Sequence, residues 1–356
     1  MSKIRIGVVF GGRSSEHEVS LASARSVIEA LDSSRYEITP IGIDPEGLWI
    51  LDGNPLSILE EALAKPAPTT RVASISMGEA IASISGLDII VPILHGPYGE
   101  DGTIQGLMEM ADLPYAGSGV LGSSIAMDKG VMKALLFEAG IPTAPYRLIT
   151  TTEWQTNQKS LYKELLAELG LPLFVKPANL GSSIGITKVH TPNELIPAVD
   201  LASCHDSRII IEESIESARE IECAVLGNDN PEVSVCGEVF AAGEFYDYES
   251  KYKDANSRTE APADLPKSVA ASIQSMAIRV FNVLHCSGLA RIDFLLSRID
   301  QTIFVLEANT MPGFTQISMY PKLWEASGRS YPAVLDRLID LGLERYRVRA
   351  ALRKTS

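Results

Sequence analysis

Cysteine is scarce: there are four in 356 residues, at 204, 223, 236 and 286. None forms a CxxC pair and no Cys/His cluster has zinc-ligand spacing, which excludes a disulfide scaffold and a structural zinc site. The thiols are expected to be small buried side chains in a reducing compartment. Long apolar runs are also missing. No stretch reaches the ~18 residues that span a bilayer. The opening segment is too short and too interrupted for a secretory signal, so a cytoplasmic protein is expected. Basic residues are the scarcer sign, 31 Lys and Arg against 45 Asp and Glu, for a net charge of −14. A field of that sign argues against nucleic acid and anionic membrane as partners. It leaves a small anionic ligand open, because a few lysines in one cleft oppose the global sign locally. What is present is an ordinary globular composition, 46% hydrophobic and 21% charged, which excludes collagen-like and disordered classes. At roughly 150 residues per domain, the length predicts two to three domains.

The first segment reads as α/β. Residues 4–10 form a buried strand, Gly11 and Gly12 a turn, and Leu21, Ala24, Val27, Ile28 and Leu31 follow helical spacing. Further strands are expected at 37–43 and 87–94, and residues 52–80 read as an insertion of short helix and loop. Strands alternating with helices predict a parallel sheet, which binds ligands at the carboxyl ends of its strands. Gly11-Gly12 and the polar, glycine-rich segment 95–102 both sit there. The small residues at 116–124 read as a linker, followed by a helix over 127–139 that Gly140 and Pro142 stop. A β-rich portion follows, with strands at 173–176, 184–189, 208–214, 220–226 and 232–240. Residues 244–264 are polar, tyrosine-rich and aperiodic, the pattern of a lid loop. Helices over 267–284 and from 331 onward close the chain.

Residues 289–309 predict a hairpin turning near Asp300. Alternation then places Ala290, Ile292, Phe294, Leu296, Phe304, Leu306 and Ala308 on an apolar face, and Arg291, Asp293, Glu307 and Asn309 on the other. Asp293 falls opposite Glu307 and Arg291 opposite Asn309. Two carboxylates across a ladder repel, so the face is either a solvated one carrying a salt bridge or a seat for a hard divalent cation, magnesium rather than zinc. Gly181-Ser-Ser-Ile-Gly185 lies between two strands. It is neither a Walker A loop nor a Rossmann fingerprint. It is either a plain turn or a flap whose N–H groups and hydroxyls cover phosphate oxygens. Lys176, Lys129 and Lys251 are the lysines placed to join it. Carboxylate face, flap and lysines together describe ATP binding.

These pieces occur in a recognisable order: GGRSSEHEVS at 11–20, HGPYGEDGTIQG at 95–106, MDK at 127–129, KP at 176–177 with GSSIG at 181–185, FYDYESKY at 245–252, RID at 291–293 and EANTMPG at 307–313. Over essentially its full length the chain resembles the D-alanine–D-alanine ligases of the ATP-grasp superfamily. The resemblance implies an ATP-grasp fold, α+β in the C-terminal two-thirds, behind an N-terminal parallel-sheet α/β domain. The implied domains are 1–125, 126–214 and 215–356, with the lid at 244–264 in the last.

The implied activity joins two D-alanines through an acyl phosphate, giving ADP and phosphate, for peptidoglycan precursor synthesis. The first carboxylate attacks the γ-phosphate of ATP, and the amine of the second D-alanine then displaces phosphate. The resemblance assigns Lys129, Lys176, Gly181, Ser182, Ser183, Glu212, Glu220 and Lys251 to ATP. It assigns Asp293, Glu307 and Asn309 to two Mg2+ ions, with Mn2+ as a substitute. Glu16 would hold the first ammonium and form a hydrogen-bonded trio with Ser182 and Tyr252. Arg291 and backbone near Gly313 would stabilise the oxyanion. Val19, His95, Ser318 and Met319 would contact substrate, Ser318 through the second carboxylate, and Met319 leaves tolerance of D-serine open. A homodimer is implied. Two other readings remain: a D-alanine–D-lactate ligase, against which Tyr252 speaks, and a non-catalytic nucleotide sensor, against which the intact metal and lid motifs speak.

Overall fold

The computed structural model describes residues 2–64, 74–240 and 258–353. Its first sheet has the order β3-β2-β1-β4, from β1 (Ile4–Gly11), β2 (Tyr36–Ile43), β3 (Trp49–Ile50) and β4 (Ile89–Ile93). β1 runs parallel to both β2 and β4, as the α/β alternation predicts. Ile6, Val8 and Phe10 face one apolar cluster and Val9 faces another, so both sides of the sheet are covered. The helix His17–Ala30 lays Leu21, Ala24 and Val27 on the first side. The stretch read as an insertion is part of this core instead. The helix Pro55–Ala64 buries Leu56 and Leu59 in the first cluster, and the helix Met77–Ile84 buries Ala80 and Ile84 in the second.

The second sheet, β5-β8-β6-β7, is antiparallel and consists of β5 (Tyr146–Thr150), β6 (Leu173–Pro177), β7 (Thr187–Val189) and β8 (Arg208–Glu213). Its apolar side is closed by Trp154, Leu165 and Leu169 of the helix Thr151–Leu169 and by Ala198, Val199 and Ala202 of the helix Leu195–Ser203. The strand expected to start at residue 184 starts only at Thr187. Within the expected strand, Gly185 holds a positive φ of 71°, which breaks an extended run.

The third sheet, β11-β10-β9-β12-β13, is also antiparallel, from β9 (Ala218–Gly227), β10 (Glu232–Phe240), β11 (Arg258–Glu260), β12 (Gly288–Ser297) and β13 (Ile303–Asn309). Ile273, Ala277, Val280 and Phe281 of the helix Lys267–Val283 back it. Within the stretch read as one lid loop, residues 258–260 are therefore strand, while 244–257 lie outside the described residues.

The predicted linker is also not one, because Val120–Met127 is a helix. Its small residues permit close packing rather than flexibility: a Cβ on Gly122 would lie 2.9 Å from the His285 carbonyl carbon, which as backbone cannot swing aside. Gly122→Ala is expected to lower stability by about 1–3 kcal/mol, the usual cost of overpacking. Thermal melting checks this, and an unchanged midpoint would contradict it. The next helix, Lys129–Glu138, starts where Asp128 caps it, accepting from the Val131 N–H at 2.9 Å, and stops before Gly140 at φ +65°.

Candidate functional site

The hairpin β12–β13 pairs as the alternation predicts where the polar residues lie: Arg291 opposite Asn309 and Asp293 opposite Glu307. Beyond Asp293 the register shifts by one residue, and Phe294 faces Val305. The bulge corrects the predicted apolar face. Val305 is buried in the core, and Leu306 instead lines the cleft beside Glu307. On the other side of β12, Glu222 of β9 stands opposite Asp293. Glu222, Asp293 and Glu307 thus form one row across three adjacent strands.

Among the described residues, one guanidinium answers this row. Arg291 donates through Nε to Asp293 Oδ1 and through a terminal nitrogen to Asp293 Oδ2, each at 2.7 Å, and its Nε is 3.0 Å from Glu222 Oε2. Burial opposes that charge, but Asp293 and Glu222 together hold Arg291 fully protonated. Asn309 Nδ2 donates to Asp293 at 2.9 Å and to Glu307 at 3.4 Å. Among the described residues no three His, Cys, Asp or Glu side chains converge as a ready-made cage. The donor set nevertheless fits a hard cation. All donors are oxygens, and among the described residues three carboxylates face one guanidinium.

Two cavities meet at this row. A cleft of about 240 Å³ lies between the second and third sheets and collects Lys129, Lys176, Ser183, Glu212, Glu220 and Asp293. A larger cavity of about 510 Å³ collects Glu16, Val19, His95, Gly181, Ser182, Arg291, Asn309, Gly313, Ser318 and Met319. Lys129, Ser183, Glu222 and Glu307 line both. All the sequence-predicted site residues are therefore brought together except Lys251 and Tyr252, which lie outside the described residues.

In the smaller cleft, Lys129 is the first residue of its helix and donates through Nζ to the Leu180 carbonyl at 2.6 Å, at the base of the Gly/Ser loop. Lys176, at the end of β6, donates to Glu212 Oε2 at 2.8 Å. The other Glu212 oxygen lies 3.5 Å from Nζ of Lys133, which also donates to the Ala144 carbonyl at 3.3 Å. Burial alone would raise the Glu212 carboxyl, but Lys133 and Lys176 outweigh it and hold it down at about 2. Burial pushes the Lys133 ammonium the other way, down, against the pull of Glu212.

In the larger cavity, Glu16 precedes the helix His17–Ala30, with its N–H donating to Ser14 Oγ at 3.1 Å. Its carboxylate packs against two glycines: a Cβ on Gly96 would lie 2.6 Å from Oε2 and one on Gly181 3.4 Å. The Gly/Ser loop and the 95–102 segment therefore both reach Glu16. Ser182 Oγ is buried with no hydrogen-bond partner among the described residues, a hydroxyl held ready for a group not in this set. Ser318 stands immediately before the helix Met319–Ala326 without a side-chain bond to it, and its Oγ accepts from the Thr315 N–H at 3.1 Å, facing Gly313.

His95 is buried between Met311 and Ser23. Its Nδ1 bonds the Met311 carbonyl at 2.8 Å, so Nδ1 carries the proton, and Nε2 accepts from Ser23 Oγ at 3.0 Å. Burial pushes the imidazole down, against the opposing pull of the Glu16 carboxylate. Glu100 is also buried, and burial together with the Glu16 and Glu307 carboxylates raises it well above the usual range.

Sequence reasoning missed Lys133, Glu222, Glu100 and Ser23 as site residues. A signal existed for two of them: Lys133 is one helical turn past Lys129, and Glu222 shares a strand face with Glu220.

The chain matches the family model described as "D-ala D-ala ligase N-terminus" over residues 5–118 and the one described as "D-ala D-ala ligase C-terminus" over residues 135–340. It is 46% identical to the D-alanine–D-alanine ligase of Natranaerobius thermophilus, with 97% of this chain and 96% of that one covered. The relative of the same name from Heliobacterium modesticaldum is also 46% identical, over 98% of this chain and 96% of its own. Among solved structures it is similar to the VanG D-Ala:D-Ser ligase from Enterococcus faecalis, with a TM-score of 0.84, 35% identity and coverage of 96% of this chain and 100% of that one. The D-alanine-D-alanine ligase from Coxiella burnetii gives a TM-score of 0.83 at 34% identity, covering 99% of each chain. Full-length likeness at this level leaves one assignment: the chain belongs to the D-alanine–D-alanine ligase family.

Proposed function

We propose that the protein joins two D-alanines to D-alanyl-D-alanine at the expense of ATP, with an acyl phosphate as intermediate. The observation that carries this is the meeting of two cavities at Lys129, Ser183, Glu222 and Glu307. A phosphoryl group passing from a nucleotide in one to a carboxylate in the other must cross there. Lys129, Lys176, Lys251 and the Gly181–Ser183 backbone bind the phosphates, with Glu212 and Glu220 on the nucleoside side. Asp293, Glu307 and Asn309 hold magnesium, two ions per site, which supplies charge neutralisation between two anionic reactants.

Glu16 takes the first ammonium and orients its carboxylate toward the γ-phosphate. Attack forms the acyl phosphate and releases ADP. Ser318, at a helix N-terminus, takes the second carboxylate. The second amine adds to the acyl carbon, Arg291 and the Gly313 N–H stabilise the oxyanion, and phosphate leaves with one oxygen of the first carboxylate. Ser182, whose hydroxyl is unpartnered among the described residues, joins Glu16 and Tyr252 to close the lid over a water-sensitive intermediate. Three sheets within residues 4–93, 146–213 and 218–309 support domains at 1–125, 126–214 and 215–356. No described helix is long and apolar enough to cross a membrane. A cytoplasmic homodimer completes the reading.

A second reading, D-serine as second substrate, has in its favour the likeness to a D-Ala:D-Ser ligase. Against it, Met319 is buried and its thioether packs 3.0 Å from a would-be Cβ on Gly237, an apolar wall that suits a methyl. Protein given Mg-ATP with equal D-alanine and D-serine is expected to release ADP and dipeptide one to one. D-Ala–D-Ala should exceed D-Ala–D-Ser by about tenfold or more, the cost of an unpaired hydroxyl. Absence of dipeptide overturns the ligase reading, and a predominant serine product overturns the choice of substrate.

A further inference from the structure

The residue at the midpoint of the segment 309–313 is held by both of its main-chain groups, and both holders come from the loop that follows β4 of the first sheet. Met311 N–H donates to Glu100 Oε1 at 2.9 Å, and the Met311 carbonyl accepts from His95 Nδ1 at 2.8 Å. The other oxygen of Glu100 accepts from the Gly96 N–H at 3.2 Å, which fixes the carboxyl to its own loop. A third tie sits nearby: Ser23 Oγ, which donates to His95 Nε2, accepts from the Phe314 N–H at 3.3 Å. His95, Glu100 and Ser23 are all buried.

We infer that Glu100 is a positioning residue for the second half of the reaction: with His95 it clamps Met311 and thereby aims the Gly313 N–H at the acyl oxygen that becomes the oxyanion. The inference rests on the ligation reading above. Its logic is placement. Met311 lies two residues after Asn309, on the nucleotide side, and two before Gly313, on the acceptor side. Asn309 is already fixed by strand β13 and by its bonds to Asp293 and Glu307. Gly313 has no strand to hold it, so the clamp at Met311 and the Phe314–Ser23 bond fix its position. Releasing the clamp leaves acyl phosphate formation intact and misplaces the groups that serve the amine. Water then takes the acyl phosphate, returning D-alanine and phosphate, and ATP is spent without dipeptide.

Glu100→Gln tests this, because an amide nitrogen must then face either Gly96 N–H or Met311 N–H, donor against donor. Dipeptide formation is expected to fall about tenfold to a hundredfold. D-alanine-dependent ADP release should fall by less than about threefold, so that the ADP-to-dipeptide ratio rises from one to between about three and about a hundred. Ser23→Ala, a smaller change at the third tie, should raise the ratio in the same direction and keeps the test open should Glu100→Gln fail to fold. A ratio that stays at one in the folded variants, whether activity is kept or lost, overturns the positioning role. A parent protein that makes no dipeptide overturns the ligation reading instead.

Discussion

Glu307→Gln is expected to lose about three orders of magnitude in turnover, the upper range for removing one charged stabilising group from a preorganised site, while the unliganded protein melts no lower than its parent. The two halves of this expectation have one cause. Glu307 stands opposite Asp293, with Glu222 beyond it and Glu100 close by. Directly opposed like charges cost a sheet about 0.2–1 kcal/mol. Removing one without changing shape relieves repulsion in the resting protein. The same charge is what a cation between nucleotide and substrate needs, so its loss falls on catalysis. Steady-state ADP release gives the first half, and melting with and without Mg-ADP gives the second. The parent should gain stability with nucleotide and the variant should gain far less. Activity within tenfold of the parent, or a large loss of unliganded stability, would mean that the acidic row serves the fold rather than the chemistry.

The row was legible in part because it depends on a period of two. Arg291, Asp293, Glu307 and Asn309 fall on one face when the hairpin turns at Asp300, and the structure pairs them so. The bulge was not legible. A one-residue slip past Asp293 leaves the pattern of apolar residues unbroken, and only the seat of Val305 in the core reveals that Leu306 turns into the cleft. The linker misreading has a similar origin. Small residues mark flexible chain and also close backbone approach, and Gly122 against His285 is the latter. Glu100 was visible within its motif, but its partner Met311 is distant in sequence, and no spacing rule connects them. Lys133 hid for the commonest reason, since a helical lysine reads as solvated until its carboxylate partner is found on another strand.

That lysine carries the second large effect. Lys133→Met is expected to destabilise the protein by about 3 kcal/mol at neutral pH, because it leaves a buried carboxylate with one partner fewer. Glu212 is held at about 2 against an ordinary 4.5 by Lys133 and Lys176 together, so Lys133 accounts for part of that depression. Two things keep the effect at the low end of broken buried pairs: Lys176 remains at 2.8 Å, and the methionine no longer has an ammonium to desolvate. The sign with pH follows from the direction of the shift. A carboxylate whose folded value is depressed contributes stability above its unfolded value of 4.5, and that contribution drains away as pH falls toward 2. In the variant Glu212 is less depressed and has less to lose. The gap between parent and variant should therefore be widest near neutral pH and narrow below pH ~4, which melting curves at pH 7 and pH 3 would read directly. An equal gap at both would place the effect in packing alone. On the proposed reading the affinity for ATP should weaken as well, since Lys176 and Glu212 line the smaller cleft and Lys133 lies 3.5 Å from Glu212.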